Sequence, residues 1–348
     1  MPSGEVQLQK ICRSRNARKT VDKNGRLSYT INLPVPLTVR SFAKINLGLR
    51  IGARRPDGFH ELLTVYQTIG LHDVIRIGLG RGTGIEIRCE DRRVPRDESN
   101  SCYRAVDKTM SALRAKGRVL IEIEKRLPVQ GGLGGASSNA VAAMLALERA
   151  LNKRLSSQQR LQIATEVGSD VPLFLIGGRV LGIGRGEQVY PLEEEPAMAC
   201  VLVTPNVGVS TPKAFAEWDR KLTVSQSSDR MGELGRGIAA WLSESYSGAP
   251  HVRGRRENPL LELVRAGIKN DFEEVVFPEY PELSAVKKTL ERAGAKYASL
   301  SGSGSTLYGL FASKAAAGRA ADKLRKQGWA AQATATITRR QYWKGFWR

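Results

Sequence analysis

One short stretch constrains this chain more than any other: Gly131-Gly132-Leu133-Gly134-Gly135-Ala136-Ser137-Ser138, set between a strand-like and a helix-like run. Without Cβ atoms, successive backbone N–H groups can converge on an anion, and glycine admits the φ > 0 conformations that such a nest uses. The helix that follows aims its positive end at the same place. With Pro128, Val129 and Gln130 leading into it, the loop reads as a cradle for a nucleotide's phosphates, and a turn without a ligand is the competing reading. Spelling excludes two familiar phosphate loops. A Walker loop ends in Gly-Lys-Ser/Thr, whereas here the glycines run into Ala136-Ser137-Ser138. A dinucleotide fingerprint counted from Gly132-x-Gly134 needs Gly or Ala where Ser137 stands.

The rest of the chain arranges itself around that loop. Its 348 residues exceed what one core usually spans, so two packed domains are expected. Residues 1–36 read as a basic extension without periodicity, 37–222 as the nucleotide-binding domain and 223–256, rich in Ser, Gly and Arg, as a boundary region. Residues 257–340 form the second domain, and 341–348 a basic aromatic tail. From 37 the chain alternates, with Ile45, Leu47, Leu49 and Ile51 on one face and Lys44, Asn46, Gly48 and Arg50 on the other. Arg55-Pro56-Asp57-Gly58 suits a tight turn. Strands are predicted at 74–79, 85–89, 119–123, 298–300, 306–311 and 333–338, and a hairpin over 179–190 that turns at Gly184-Arg185-Gly186. Helices are predicted after the loop, capped by Ser137-Ser138-Asn139, and over 157–167, 281–292 and 314–327. Mixed in this order, the elements indicate an α+β protein.

Charge and cysteines exclude other classes. The formal net charge of +20 attracts phosphate in any form, and much of it lies in the two ends, where solvated tails are the expected state. Cys12, Cys89, Cys102 and Cys200 have no metal-ligand or disulfide-scaffold spacing, which fits a reducing cytoplasm. No apolar run is long enough for a transmembrane helix, so no membrane partner is expected. The first residues lack a secretory signal's apolar stretch. They read as a basic tail, with a transit-type leader as the alternative.

The stretch PVQGGLGGASSNA closely resembles the nucleotide loop of the GHMP kinases, the family of galactokinase, homoserine kinase and mevalonate kinase. Ser41-Phe42-Ala43-Lys44-Ile45-Asn46 and Leu300-Ser301-Gly302-Ser303-Gly304-Ser305 are similar to two more of its marks. AKINLGLRIGARRPDGFHEL, GSDVPLFL, GRGE and NDFEEVVFPEYPEL look like one branch of the family, whose acceptor is a cytidine-diphosphate methylerythritol of the non-mevalonate isoprenoid route. The likeness runs from about 37 to 338. It implies the two-domain GHMP fold, with a ribosomal-protein-like βαβ domain, a ferredoxin-like domain and the active site between them. It implies ATP as donor, with Mg²⁺, for which Ser137 and Ser138 offer hydroxyls but no dedicated carboxylate is evident.

By the same resemblance Lys44 and Asp170 are the catalytic pair, although alone they read as a strand lysine and a helix N-cap. Residues 128–138 hold ATP. Asn46 contacts the acceptor, Phe59 stacks on its cytosine, and His60 reaches the base edge. Thr211 and Phe215 form a second wall, and Gly302, Ser303 and Gly304 close the cleft. The family often has tyrosine where Phe59 stands. Two rivals remain open on residues alone: another GHMP acceptor, such as homoserine or a mevalonate derivative, and a basic nucleic-acid-binding protein. The resemblance favours neither, and no nucleic acid is expected.

Overall fold

The computed structural model describes residues 17–21 and 27–31 by backbone, and residues 36–194, 196–221, 231–240 and 269–347 in full. Most of the expected 1–36 extension and 223–256 boundary lies outside the described residues. Within the former, β1 (Ala17–Val21) and β2 (Leu27–Ile31) pair as an antiparallel ribbon, in place of the aperiodic arm expected there.

The first sheet is organised by two long strands, β3 (Leu37–Arg54) and β4 (His60–Gly80), joined through the Arg55–Gly58 turn. β3 pairs along one edge of β4. On the other edge sit, end to end, β6 (Arg118–Glu124) and β7 (Arg179–Gly184). β5 (Gly84–Cys89) lies parallel to β6 and reaches it through helix α1 (Ser101–Ala112), which makes a βαβ unit. β8 (Gln188–Pro191) completes the edge beyond β7 as the second arm of the expected hairpin. Helices α2 (Gly135–Ala150) and α3 (Ser157–Val167) pack with α1 on one face of this sheet, around Ile75, Ile121, Met144 and Phe174.

A second, wholly antiparallel sheet has the order β10-β11-β9-β12. It is built from β9 (Ala199–Val203), β10 (Tyr297–Leu300), β11 (Leu307–Phe311) and β12 (Ala331–Ala335). Helices α4 (Thr211–Lys221), α5 (231–240), α6 (Glu273–Glu279), α7 (Pro281–Arg292) and α8 (Lys314–Lys326) accompany it. With α7 and α8 as the crossovers, this is the ferredoxin-like arrangement the resemblance implies. Strand pairing passes to the second sheet between 191 and 199, ahead of the expected boundary, because β9 is apolar on both faces and fills its centre.

The two sheets share a core. Ala43, Ile45 and Leu47 of β3 and Val65 and Ile69 of β4 meet Cys200, Leu202, Tyr308 and Leu310 of the second sheet. β3 is therefore buried on both faces, and its pairing with β4 shifts register at Phe42/Lys44 and Asn46/Gly48. These irregularities re-aim side chains at the point where the two halves touch.

The C-terminal segment departs from expectation. Instead of a solvated tail, 341–348 contributes to helix α9 (Arg339–Phe346), which Thr338 begins with a capping box. Its apolar residues are spaced to one side, so Tyr342 and Phe346 are fully buried in the first core. The Tyr342 hydroxyl donates to Phe174 O at 2.8 Å, and Trp343 Nε1 to Ile176 O at 2.9 Å. Basic residues punctuating an aromatic stripe concealed that face. Replacing Tyr342 with Ala should destabilise the protein by about 3–5 kcal/mol, the cost of emptying a large buried aromatic site. Equilibrium urea unfolding would register this as a lower midpoint, with Tyr342→Phe losing only about 1 kcal/mol for the hydrogen bond.

Candidate active site

Where the sheets meet, three loops converge on Lys44. Its ammonium is almost wholly buried, so it needs partners in place of water. It donates to Asn46 Oδ1 at 2.6 Å and lies 3.2 Å from Asp170 Oδ2. Asn46 is fixed in turn, since its Nδ2 donates to Thr64 Oγ1 at 2.8 Å and that hydroxyl donates to Gly48 O at 2.8 Å. Asp170 sits in the turn between α3, which stops at Gly168, and a 3-10 helix opened by Pro172. It is therefore a junction residue that stays partly exposed. Its other oxygen, Oδ1, accepts the Tyr66 hydroxyl at 3.0 Å.

The glycine loop is tied to this centre by backbone. Lys44 N donates to Leu133 O at 3.0 Å, and Thr306 N donates to Gly131 O at 3.3 Å. Ser301 Oγ donates to Gly132 O at 3.0 Å. Gly132 has φ +75°, and a Cβ there would overlap the carbonyl of Ser301. Glycine is thus required twice, for the turn and for the approach of the opposite loop. Helix α2 begins directly on the loop with Gly134 as its N-cap, at φ +67°, and without a side-chain cap. Ser137, Ser138 and Asn139 consequently lie inside the helix, not ahead of it as expected. Ser138 is buried and accepts the Ser41 hydroxyl at 2.7 Å, so only Ser137 of the two lines the neighbouring cavity.

That cavity, of about 380 Å³, is walled by the expected residues 128–137 on one side and by residues 93–95 and 99–101 on the other. Lys125 and Asn139 also line it, and no motif in the sequence marks Lys125. Both are held by Asp73, a fully buried carboxylate that accepts Lys125 Nζ at 2.6 Å, Arg126 N and Leu127 N at 2.8 Å and Asn139 Nδ2 at 3.0 Å. An aspartate in the apolar run of β4 was the available signal. The dimensions and the cradle suit a nucleotide. Among the described residues, no three His, Cys, Asp or Glu side chains cluster as a metal cage.

The substrate-side residues are brought together with one rearrangement. Phe59 is half exposed at the turn, with the Arg185 guanidinium 4.9 Å from its ring centroid. His60 is buried, and its Nε2 lies 2.6 Å from Asp219 Oδ1. Phe215 stacks flat on His60, with centroids 4.7 Å apart at 8°, and meets Phe272 edge-on. Phe215, expected in a second wall, therefore has one ring face against His60. Thr211 Oγ1 is 2.7 Å from Ser303 Oγ, which joins α4 to the 302–304 loop. Asn270 fixes that loop by donating both amide hydrogens, to Leu300 O and Gly302 O at 2.8 Å each. Beside it, Asp271 clamps Arg50 at 2.8 Å and Ile51 N at 2.9 Å, which gives the NDF stretch a structural purpose.

Comparison with known proteins agrees with this geometry. The family descriptions "GHMP kinases N terminal domain" and "GHMP kinases C terminal" match residues 100–178 and 255–329. A protein of Solibacter usitatus (strain Ellin6076) named 4-diphosphocytidyl-2-C-methyl-D-erythritol kinase is 38% identical over 310 residues, covering 89% of this chain and 91% of that one. One of the same name from Geobacter sulfurreducens is 35% identical, covering 86% and 99%. A crystal structure of 4-(cytidine 5'-diphospho)-2C-methyl-D-erythritol kinase superposes with a TM-score of 0.66 at 29% identity, over 86% of this chain and 99% of that one. Homoserine kinase from Cytophaga hutchinsonii gives 0.68 at 21% identity, over 89% and 97%, so shape alone does not separate the acceptors.

Placing Ala at Gly132 should cost about 1–3 kcal/mol through the left-handed backbone. Because it also forces the two loops apart, the upward shift in melting temperature produced by a non-hydrolysable ATP analogue should largely vanish in this variant.

Proposed function

The chain belongs to the GHMP kinase family, among the 4-diphosphocytidyl-2-C-methyl-D-erythritol kinases, and from that membership we propose that Asp170 and Lys44 carry its phosphoryl transfer. The reaction moves the terminal phosphoryl group of ATP to the 2-hydroxyl of 4-diphosphocytidyl-2-C-methyl-D-erythritol, a step toward isoprenoid precursors. The observation that carries the residue assignment is the 3.2 Å pair of Lys44 and Asp170 beside the glycine cradle.

Asp170 receives the proton of the attacking hydroxyl. Lys44, pointing at the same place, opposes the negative charge that gathers on the transferring oxygens. A carboxylate beside an ammonium is a weak base, which suits this chemistry. Phosphoryl transfer passes through a loose transition state in which alignment and charge compensation count for more than proton affinity. The cradle N–H groups and the first turn of α2 hold the phosphates, and Lys125 and Asn139 bound the remainder of the nucleotide cavity. Mg²⁺ fits a site furnished mainly by phosphate and water, with the Ser137 hydroxyl as the loop side chain on the cavity wall, and it supplies neutralisation of phosphate charge.

On the acceptor side, Phe59 offers an exposed ring for the cytosine, with Arg185 on it, and the next residue, His60, is held by Asp219 and stacked on Phe215. Asn46, Thr211 and the 302–304 loop line the path to Lys44, since Gly302 approaches both Asn46 Oδ1 and Lys44 Nζ. A cytoplasmic location accords with a chain in which no described helix is long and apolar enough to cross a membrane.

Asp170→Asn should lower kcat by roughly 10²–10⁴ while an ATP analogue still binds. Steady-state ADP release and isothermal titration check the two halves, and near-parental turnover removes Asp170 from the mechanism. Phe59→Ala should weaken acceptor binding by roughly 1–3 kcal/mol, the worth of one base on an aromatic ring, and leave KM for ATP unchanged. A panel containing the cytidylyl substrate, homoserine and mevalonate tests the acceptor. Turnover of an alcohol without a base, and none of the cytidylyl compound, would reverse it.

A further inference from the structure

Apart from Arg185, the GRGE stretch at 184–187 and the buried phenol of Tyr66 have no part in the mechanism above, yet Gly186 and the phenol meet at its centre. We propose that Tyr66 is a positioning residue for the catalytic carboxylate, seated by two glycines of the β7–β8 hairpin so that its hydroxyl holds Oδ1 of Asp170. The inference rests on Asp170 being the base.

Tyr66 lies on β4, exposed by only 2%, and donates to Asp170 Oδ1 at 3.0 Å. Lys44 Nζ is 3.2 Å from the other oxygen and 5.5 Å from the Tyr66 ring centroid. The two carboxylate oxygens thus have different partners from different strands. Rotation of the carboxylate breaks one bond or the other, so the pair fixes the direction in which a free lone pair meets the substrate hydroxyl. The hairpin makes this possible by omission. A Cβ at Gly182 would overlap the edge of the Tyr66 ring, and one at Gly186 would overlap its hydroxyl. Three charged groups face the phenol: Lys44 from β3, Asp170 from the α3 junction and Glu187 from the hairpin turn. Burial first, and then the negative charge of Asp170 and Glu187, push the phenol well above its ordinary range, so it remains a neutral donor. Space-filling alone calls for phenylalanine. The hydroxyl is what the carboxylate uses.

The test is the rate of phosphoryl transfer in a single turnover, by rapid quench across pH, in Tyr66→Phe. Tyr66→Phe removes the donor to Asp170 Oδ1, so the acid limb of the pH–rate profile should be displaced from the parent's. The plateau rate should fall on the order of tenfold as alignment loosens. The dissociation constants of both substrates and the urea midpoint should stay close to the parent's. Gly186→Ala, which crowds the hydroxyl, should move the limb in the same direction. A Tyr66→Phe enzyme with the parent's rate and limb overturns the inference. So does one whose loss lies in substrate affinity while the limb stays in place, because the phenol then only fills space. Asp170→Asn separates this from the underlying reading: if that variant is inactive and Tyr66→Phe unchanged, the positioning role alone fails, whereas an active Asp170→Asn removes both.

Discussion

A single buried cation organises this molecule. Lys44 sits on a strand enclosed on both faces, where an ammonium without partners is strongly disfavoured. The fold answers with Asn46 from the same strand and Asp170 from the junction after α3. The backbone N–H of the same residue holds Leu133 of the phosphate cradle. One position therefore connects the glycine cradle, the Asp170 junction and Asn46. The register shifts in β3 on either side of it follow from the same demand, since a regular strand would send alternate side chains into two apolar cores.

The arrangement favours geometry over reactivity. Asp170 has both oxygens engaged, Asn46 donates to Thr64 of the neighbouring strand, and Asn270 spends both amide hydrogens on holding the 302–304 loop. Asp73 accepts four donors, and two of the residues it holds, Lys125 and Asn139, line the cavity beside the glycine loop. Polar groups buried in this way stabilise only when every partner is present, so each loop is held in one conformation. A reaction with a loose transition state benefits from that rigidity, because its barrier responds to alignment and to fixed charge.

Much of this was legible from the residues. The cradle, the helix at Ser157–Val167, the hairpin after Arg179 and the mixed strand–helix order of the second half follow from glycine spacing and periodicity, whereas its ferredoxin-like form was implied by the resemblance. The misreadings have particular causes. Tyr342 and Phe346 were hidden among arginines and lysines whose charged heads stay wet while the aromatic stripe packs inward. Ser138 resembled a free hydroxyl until the approach of β3 supplied Ser41. The stacking of Phe215 on His60, a contact between residues 155 positions apart, has no local signal at all.

By itself the sequence determined the elements and the phosphate loop, because those depend on local backbone freedom, on periodic burial and on a spelling shared with a family. It also named Lys44 and Asp170, though only through that likeness. Which oxygens, amides and rings meet was decided by tertiary structure alone. Tyr66 on Asp170, Asp73 on Lys125 and Ser301 on Gly132 join segments far apart in the chain, and no local pattern encodes a contact made only when two sheets close on a common core.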